Sequence, residues 1–228
     1  MSWFKDAITS SLGRKLIMAL TGVFLILFLV VHLAGNLQLL KNDGGQSFNV
    51  YAEFMSTNGL IQFISKGNFA FILIHVFLSL YLTIQNKKAR PVQYAVVNQK
   101  GSSVWASRNM GILGTIILIF LVIHLQNFWY QMHFGSVATI DYEGQTVRNL
   151  AAVTSFAFSN IWYTVLYVVC MIALGFHLSH GFQSAFQTLG LEHVKYSPAI
   201  KTVGLAFSII VPGLYALIPI WMYVESLS

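Results

Sequence analysis

The chain has 228 residues, of which 56% are hydrophobic and only 9% are charged. A water-soluble domain carries about 25% charged residues, so the composition excludes an ordinary soluble protein and indicates an integral membrane protein. The single cysteine, Cys170, excludes a disulfide framework and a cysteine-based metal or iron–sulfur site within this chain.

Five segments have the length that a bilayer requires, about 20 mostly apolar residues each. In chain order they cover residues 16–40, 67–86, 110–132, 161–187 and 203–225. We predict helices throughout, because each backbone amide in lipid must find its partner within its own segment. Pro212 and Pro219 are interpreted as kinks in one fifth helix, with two shorter segments as the alternative. The predicted fold is an all-α integral membrane bundle of five transmembrane helices, with residues 1–228 as a single domain.

Basic residues lie mainly on one side of this arrangement. The side with the N-terminus holds ten lysines and arginines: Lys5, Arg14, Lys15, Lys87, Lys88, Arg90, Lys100, Arg108, Lys195 and Lys201. The opposite side holds only Lys41, Lys66 and Arg148. The positive-inside rule therefore predicts a cytoplasmic N-terminus and a C-terminus outside. Topology accounts for the net charge of +6, and we predict a lipid bilayer, not nucleic acid, as the partner of this charge.

Four of the seven histidines fall inside four different predicted helices: His32, His75, His124 and His177. Ionisable groups within spanning segments are costly and indicate function by default. Any one of them alone fits equally well a neutral imidazole that is hydrogen-bonded to a neighbouring helix. Four histidines on four helices favour a functional role.

Depth sorts these histidines into two pairs. At a rise of 1.5 Å per residue, His75 lies about 18 Å from Lys87, and His177 lies about 18 Å from the end of its helix at Leu189. By the same arithmetic, His32 is about 26 Å from Lys15 and His124 about 24 Å from Arg108. Two imidazoles at one height on facing helices can hold a planar macrocycle between them, each giving an axial nitrogen to its iron. Two pairs therefore predict two haems stacked across the bilayer.

Two alternatives to this interpretation remain. A bare zinc or copper ion would need ligands beyond two histidines, and no acidic residue lies near these positions. A transporter or channel whose histidines relay protons is the alternative from a different functional class. Within the fourth helix, His180 competes with His177 as the ligand, but it lies about 4.5 Å nearer the cytoplasm. Gly35 and Gly181 lie three and four residues after His32 and His177, where a porphyrin could approach or where helices could simply pack.

Four motifs connect the chain to a known family: Ser10-Ser11-Leu-Gly-Arg-Lys before the first helix, Val31-His32-Leu-Ala-Gly-Asn36 within it, His75 with His124, and Phe176-His177-Leu-Ser-His-Gly181 running on to Gly190. With this topology, the chain resembles the single-chain, five-helix, di-haem cytochrome b subunit of succinate dehydrogenases and fumarate reductases that use menaquinone. The likeness covers essentially the whole chain. The second candidate function is a haem-bearing anchor of another respiratory enzyme, such as a hydrogenase or a formate dehydrogenase.

The resemblance implies that His32 and His124 ligate an outer haem b and that His75 and His177 ligate an inner one. It also implies an FAD-containing flavoprotein and an iron–sulfur protein docked on the cytoplasmic face, with menaquinone as the quinone. The implied location is a bacterial inner membrane, and a homodimer of heterotrimers is compatible with the family. Some fumarate reductases of this type carry a glutamate, thought to conduct protons, where this chain has Gly175. That difference favours succinate oxidation.

Further candidates surround these histidines. Glu53, on the outer side, is a candidate for exchanging quinol protons, with a solvated loop position as the alternative. Ser11 and Arg14 are candidates for a quinone site or for haem propionates on the inner side, with interfacial anchoring as the alternative. Contacts to a haem edge or propionate are expected for polar groups near the pairs: His180, Asn36, Gln126 and His133. No role is predicted for His193.

Overall fold

The fold is taken from a computed structural model, which describes residues 2–89 and 105–228. Arg90 and Lys100, which the topology prediction counts among the cytoplasmic charges, lie outside the described residues.

Most of the described chain is helical. The elements are α1 (Ser2–Thr9), α2 (Ser11–Asn36), a 3₁₀ turn (Leu37–Leu40), α3 (Gln46–Thr57), α4 (Gly59–Lys88), α5 (Trp105–Arg108), α6 (Met110–His124), a π-helical segment (Leu125–Tyr130), α7 (Gln131–Phe134), strands β1 (Thr139–Tyr142) and β2 (Gln145–Arg148), α8 (Leu150–Phe158), α9 (Ile161–Thr188) and α10 (Ser197–Glu225).

Within residues 2–89 and 105–228, five helices are long and apolar enough to cross a membrane, which confirms the predicted number of spans. They cover Ser11–Leu40, Gly59–Lys88, Met110–Phe134, Ile161–Thr188 and Ser197–Glu225. The chain is therefore a multi-pass membrane protein, and α10 runs unbroken through Pro212 and Pro219. The predicted starts of α2, α4 and α10 were five to eight residues late, and in α2 and α4 the reason is a polar cap that extends the helix beyond its apolar core.

Two caps illustrate this extension. The Ser10 side chain accepts the N–H of Gly13 at 3.0 Å and so begins α2 at Ser11. The Asn58 side chain accepts the N–H groups of Leu60 and Ile61 at 3.1 and 3.2 Å, which satisfies donors that the first turn of α4 leaves free. Hydropathy alone does not register such caps.

A two-stranded hairpin follows α7, so the all-α prediction was incomplete. Strands β1 and β2 pair antiparallel with Thr139 opposite Arg148. Glu143 and Gly144 form the two-residue turn, and both have positive φ (53° and 90°), which is the backbone that such hairpin turns require.

A buried asparagine joins the hairpin to its surroundings. Asn49 of α3 is completely buried. Its amide nitrogen donates to the Tyr142 hydroxyl and to Asn149 Oδ1, both at 3.1 Å, and its oxygen accepts the N–H of Ala151 at 2.8 Å. One side chain therefore holds α3, the hairpin and the start of α8 together.

Four of the spanning helices form a ring. Helix α2 packs against α4 and α9, and α6 also packs against α4 and α9, so α2 faces α6 and α4 faces α9 across the middle. Helix α10 lies outside the ring against α9 and α2. We refer to the end of the bundle with α1 and α5 as the N-terminal end, and to the end with α3, β1, β2 and α8 as the hairpin end.

Candidate functional site

The middle of the ring holds four histidines, one from each helix. The imidazole centroids of His32 and His124 are 5.8 Å apart, and those of His75 and His177 are 6.4 Å apart. Each pair joins helices that face each other across the ring: α2 with α6, and α4 with α9. These are the same two pairs that the predicted depths of the histidines gave.

The two pairs lie at two levels. The His75 ring contacts Thr21 of α2, which is 11 residues before His32, and the His124 ring contacts Tyr167 of α9, which is 10 residues before His177. At a rise of 1.5 Å per residue, both helices give a separation of about 15–16 Å along the bundle. We call His32 and His124 the outer pair, nearer the hairpin end, and His75 and His177 the inner pair.

The 6.4 Å separation of the inner pair suits one metal ion held between two imidazoles, and the 5.8 Å separation of the outer pair is about 0.6 Å shorter than such an arrangement. At the roughly 2.0–2.1 Å typical of zinc–imidazole bonds, two rings on opposite sides of a metal have centroids about 6.4 Å apart. Among the described residues, no three or more histidine, cysteine or acidic side chains cluster as a metal site would require. The geometry therefore fits a metal whose remaining ligands come from a macrocycle better than a metal held by protein alone.

In the inner pair, a threonine orients one imidazole. Thr21 Oγ1 lies 3.2 Å from His75 Nδ1 and donates its own hydrogen to backbone carbonyls, Ile17 O at 2.9 Å or Met18 O at 3.0 Å. Its oxygen is then left to accept a proton from Nδ1, which leaves the lone pair of His75 on Nε2. Fixing the tautomer through the second ring nitrogen is how proteins prepare a metal-binding histidine.

In the outer pair, a tyrosine hydroxyl lies beside the Nδ1 atom of one imidazole. The Tyr167 hydroxyl lies 3.2 Å from His124 Nδ1. The Tyr163 hydroxyl lies 2.9 Å from that of Tyr167, and the Asn127 amide donates to Tyr163 at 2.8 Å. His124 is thus attached to a chain of polar groups that runs along α9 and the π-helical segment toward the hairpin end.

The opposite member of each pair lacks such support. Nδ1 of His177 is buried and has no hydrogen-bond partner, and no hydrogen bond to the His32 ring is found in the described part of the chain. A buried polar atom without a partner costs about 1–3 kcal/mol. In the described residues, His177 therefore lacks the hydrogen bond through the second ring nitrogen that metal-binding histidines usually make.

Aromatic rings surround the outer pair. Phe28 and Tyr215 lie 5.2 and 5.9 Å from His32, and Phe120 and Phe128 lie 5.6 and 5.3 Å from His124. In the described residues, no aromatic ring other than the histidine partner contacts His75 or His177 at such distances. The outer pair is therefore the more thoroughly enclosed by apolar side chains.

The two glycines singled out beside the histidines have different surroundings. A Cβ atom at Gly35 would overlap the ring of Tyr51, so Gly35 makes room for α3, which is the packing alternative for this glycine. A Cβ atom at Gly181, one turn after His177, would meet nothing within 4 Å. Gly22, which the sequence analysis did not single out, faces the His75 ring at 3.6 Å from its would-be Cβ.

Gly175 packs against α10. A Cβ atom at this position would lie 3.0 Å from the carbonyl oxygen of Ser208, whose usual helical donor is missing because Pro212 has no N–H. A side chain at this position would need α10 to shift. The absence of a glutamate at position 175 thus has a packing reason in this chain.

Glu53 is half of an ion pair. Its Oε2 accepts from Nε of Arg148 at 3.2 Å, and Arg148 also donates to Ser56 Oγ at 2.8 Å and to the carbonyl of Met132 at 2.6 Å. Both side chains keep about a quarter of their surface exposed. Glu53 thus lies in a helix, not in a loop, and its partner is an arginine 95 residues away in sequence.

A depression lies beside Glu53 at the hairpin end. It has a volume of about 730 Å³ and is lined by residues that include Gln38, Tyr51, Glu53 and Phe54. Burial raises the pKa of Tyr51, so its hydroxyl stays protonated and able to donate at neutral pH. Tyr51 rests on Gly35, only three residues after His32, which places the depression about one helical turn from the outer pair.

At the N-terminal end, Arg14 is already engaged. It donates to the Tyr81 hydroxyl at 2.9 Å and to Gln85 Oε1 at 3.4 Å, and it lies over the Tyr81 ring. Ser11 is exposed in the first turn of α2. The structure does not bring either residue to a histidine pair.

The other polar candidates have local partners or face outward. The Asn36 amide donates to the His32 carbonyl one turn back at 2.7 Å, and His180 Nε2 pairs with Ser184 Oγ at 3.1 Å. Gln126 is exposed. His133 is exposed and stacks on Trp129, and His193 lies in the exposed turn before α10.

Sequence reasoning missed Thr21, Tyr167 and Tyr163. Spacing does not reveal them, since Thr21 is 54 residues from His75 and Tyr167 is 43 residues from His124. The available signal was weaker: a hydroxyl within a spanning helix needs a partner, and Tyr167 and Tyr163 lie one turn apart on a helix with a predicted ligand.

Comparisons with known proteins add no family assignment. No protein-family model, curated protein or solved structure matches this chain. Its function is therefore argued from its own residues.

Proposed function

We propose that this chain is the di-haem b membrane anchor of a succinate:menaquinone oxidoreductase. The observation that supports this most strongly is the crossing of the ring by two histidine pairs, with centroids 5.8 and 6.4 Å apart, about 15–16 Å from each other. A proton-relaying transporter has no need for imidazoles matched in opposed pairs at bis-ligand separation. The motifs shared with di-haem anchors supply the rest of the proposal.

The chain's own residues would hold and insulate the cofactors. His32 with His124, and His75 with His177, would each give two Nε2 atoms to one haem iron, and the bound haems supply one-electron transfer. Thr21 holds His75 in the tautomer that leaves Nε2 free, and iron ligation by His124 would leave its Nδ1–H to donate to the Tyr167 hydroxyl. The rings of Phe28, Phe120 and their neighbours exclude water from the outer pair.

Orientation and partners follow from charge. The basic residues of the N-terminal end place it in the cytoplasm, and the bilayer is that of a bacterial inner membrane. A flavoprotein with FAD and an iron–sulfur protein dock on this end, and the basic residues complement an acidic partner surface. Succinate is oxidised in the flavoprotein, outside this chain.

Menaquinone is proposed to exchange electrons and protons at the depression beside Glu53. Its volume of about 730 Å³ is in the usual range for a small-molecule site, and it lies about one turn from the outer pair. The ion pair with Arg148 holds Glu53 in place at the mouth of this depression. Glu53 is then the group that passes quinol protons to the outer solvent.

The test is purification of the native complex through a tag on this chain. The proposal expects a succinate-oxidising flavoprotein to co-purify, two low-spin bis-histidine haems per chain, and haem reduction on adding succinate. A colourless preparation would refute both cytochrome assignments. Two haems with a partner that oxidises hydrogen or formate would identify the other kind of respiratory anchor. The Glu53→Gln variant should retain both haems and lose quinone-linked turnover, and Glu143→Gln is its matched control at the same end.

A further inference from the structure

Behind His124 lies a continuous chain of hydrogen-bonding groups. It passes from His124 Nδ1 to the Tyr167 hydroxyl at 3.2 Å, to the Tyr163 hydroxyl at 2.9 Å and to the Asn127 amide at 2.8 Å. Tyr167 is 6% exposed, so these bonds are made where water does not compete for them. Neither Tyr163 nor Asn127 has a role in the proposed function.

Ligation of iron by His124 would fix the direction of every bond in this chain. The argument rests on the proposed function at this point. If Nε2 binds a metal, Nδ1 carries the ring proton and must donate to the Tyr167 oxygen. Tyr167 then donates its hydrogen to Tyr163, which also accepts from Asn127, an amide that can only donate through its nitrogen. The His124 Nδ1–H, the Tyr167 hydroxyl and the Asn127 amide then each have an acceptor within the chain.

From this arrangement we infer that Tyr167, backed by Tyr163, is a positioning residue that lowers the reduction potential of the outer haem. A hydrogen bond from Nδ1–H to an oxygen makes the imidazole a stronger electron donor, which stabilises ferric over ferrous iron. Donation by Tyr167 to Tyr163 makes the Tyr167 oxygen a better acceptor, because hydrogen bonds in a chain polarise one another. Tyr163 therefore acts in the same direction as Tyr167, with a smaller effect.

The bundle contains a matched control. Tyr215 is a second partly buried tyrosine at the outer pair, with its ring 5.9 Å from that of His32. Its hydroxyl donates to the backbone carbonyl of Leu29 at 2.7 Å and does not bond to an imidazole nitrogen. Tyr215→Phe therefore removes a phenolic hydroxyl from the same surroundings without touching the hydrogen bond in question.

The experiment is a redox titration of the haems in the native complex carrying Tyr167→Phe, Tyr163→Phe or Tyr215→Phe. The haem that is missing in His32→Ala is the outer one. At a fixed potential, Tyr167→Phe should raise its ferrous-to-ferric ratio about tenfold, equivalent to 59 mV for one electron. Tyr163→Phe should raise the ratio about threefold, and Tyr215→Phe less than twofold. The reduction potential of the inner haem should not change in any of the three variants.

The results separate this inference from the function on which it rests. A wild-type complex without haem would refute the proposed function itself. Two bound haems, with Tyr167→Phe no different from Tyr215→Phe, would overturn the positioning role alone. If Tyr167→Phe loses the outer haem, Tyr163→Phe decides: a potential raised in the outer haem only supports the role, and an unchanged potential overturns it.

Discussion

The outer and inner histidine pairs share one construction and differ in what supports it. In each pair, one imidazole has its Nδ1 held by a hydroxyl and the other has no such support. The inner hydroxyl belongs to Thr21, which is anchored only to its own helix. The outer hydroxyl belongs to Tyr167, which is connected through Tyr163 to Asn127 on another helix. The outer pair is also surrounded by aromatic side chains, and in the described part of the chain the inner pair is not.

This difference suggests how one bundle can hold two equivalent cofactors at unequal potentials. The ligand set is the same at both levels, so unequal potentials must come from hydrogen bonds, burial and charge around the rings. In the proposed function, the outer level is where menaquinone exchanges electrons and the inner level faces the partner subunits. Different surroundings at the two levels are therefore expected to be functional.

The largest expected effect comes from removing single ligands. His124→Ala should lower the haem content from two to one per chain by loss of the outer haem, and His177→Ala should do so by loss of the inner haem, because each iron would keep only one axial nitrogen. Pyridine haemochrome absorbance per polypeptide measures this directly.

His180→Ala is the control for the ligand variants, since His180 pairs with Ser184 one turn away on its own helix. It should keep both haems. Loss of the inner haem in His180→Ala, with retention in His177→Ala, would show that the inner pair was assigned to the wrong histidine.

The next effect concerns the scaffold of the hairpin end, which adjoins only the outer pair. Asn49→Ala removes three buried hydrogen bonds and should destabilise this end by about 2–4 kcal/mol. We expect the outer haem signal to be lost at lower temperature than the inner one in a thermal ramp in detergent.

Asn160→Ala supplies the comparison for Asn49→Ala. Asn160 is exposed and caps α9 at the same end, so its loss should cost only about 1 kcal/mol. Equal losses in the two variants, or simultaneous release of both haems in Asn49→Ala, would contradict a scaffold that serves the outer pair specifically.

A smaller effect is expected from removing the Thr21 hydroxyl of the inner pair. Thr21→Val keeps the shape of the side chain and removes the bond to His75, so it should raise the ferrous-to-ferric ratio of the inner haem about threefold at fixed potential, the size expected for one modest hydrogen bond. Thr21→Ser keeps the hydroxyl and should leave the ratio near that of the wild type. Potentiometric titration measures these ratios, and a change in the potential of the outer haem in Thr21→Val, with none in the inner haem, would refute the comparison.

Much of this architecture could be predicted from the sequence because lipid imposes strict rules. Lipid requires about 20 apolar residues per span, so the five helices are visible in composition alone. A fixed rise per residue turns sequence position into depth, so the partners His32 with His124 and His75 with His177 could be expected before any fold was known.

The features that could not be predicted depend on how each helix is rotated about its axis and on contacts between residues far apart in sequence. Depth says nothing about which face of a helix a side chain occupies, so Thr21 and Tyr167 could not be matched to their histidines. The ion pair of Glu53 with Arg148 and the Gly35–Tyr51 contact arise from the folding of the hairpin end onto α2, which hydropathy does not encode. Helix ends were missed for a related reason, since caps are polar.

The smallest predicted effect is an acid sensitivity of the hairpin end that the N-terminal end should not share. The pKa of Asp43 is lowered from its ordinary 3.8, mainly by a hydrogen bond from the Ser47 side chain. Hydrogen bonds from the backbone N–H groups of Ser47 and Gly45 lower it further. A lowered pKa means that ionised Asp43 stabilises the folded state above about pH 4, and that this contribution fades as the pH falls through the folded-state pKa. Asp43 is near the surface, so Asp43→Asn should lower the thermal midpoint of the outer haem signal by only about 1 °C at pH 7. As the pH falls below 3.8 and through the lowered pKa of Asp43, the variant and the wild type should converge, and a difference that stays constant over this range would show that the carboxylate charge is not its cause.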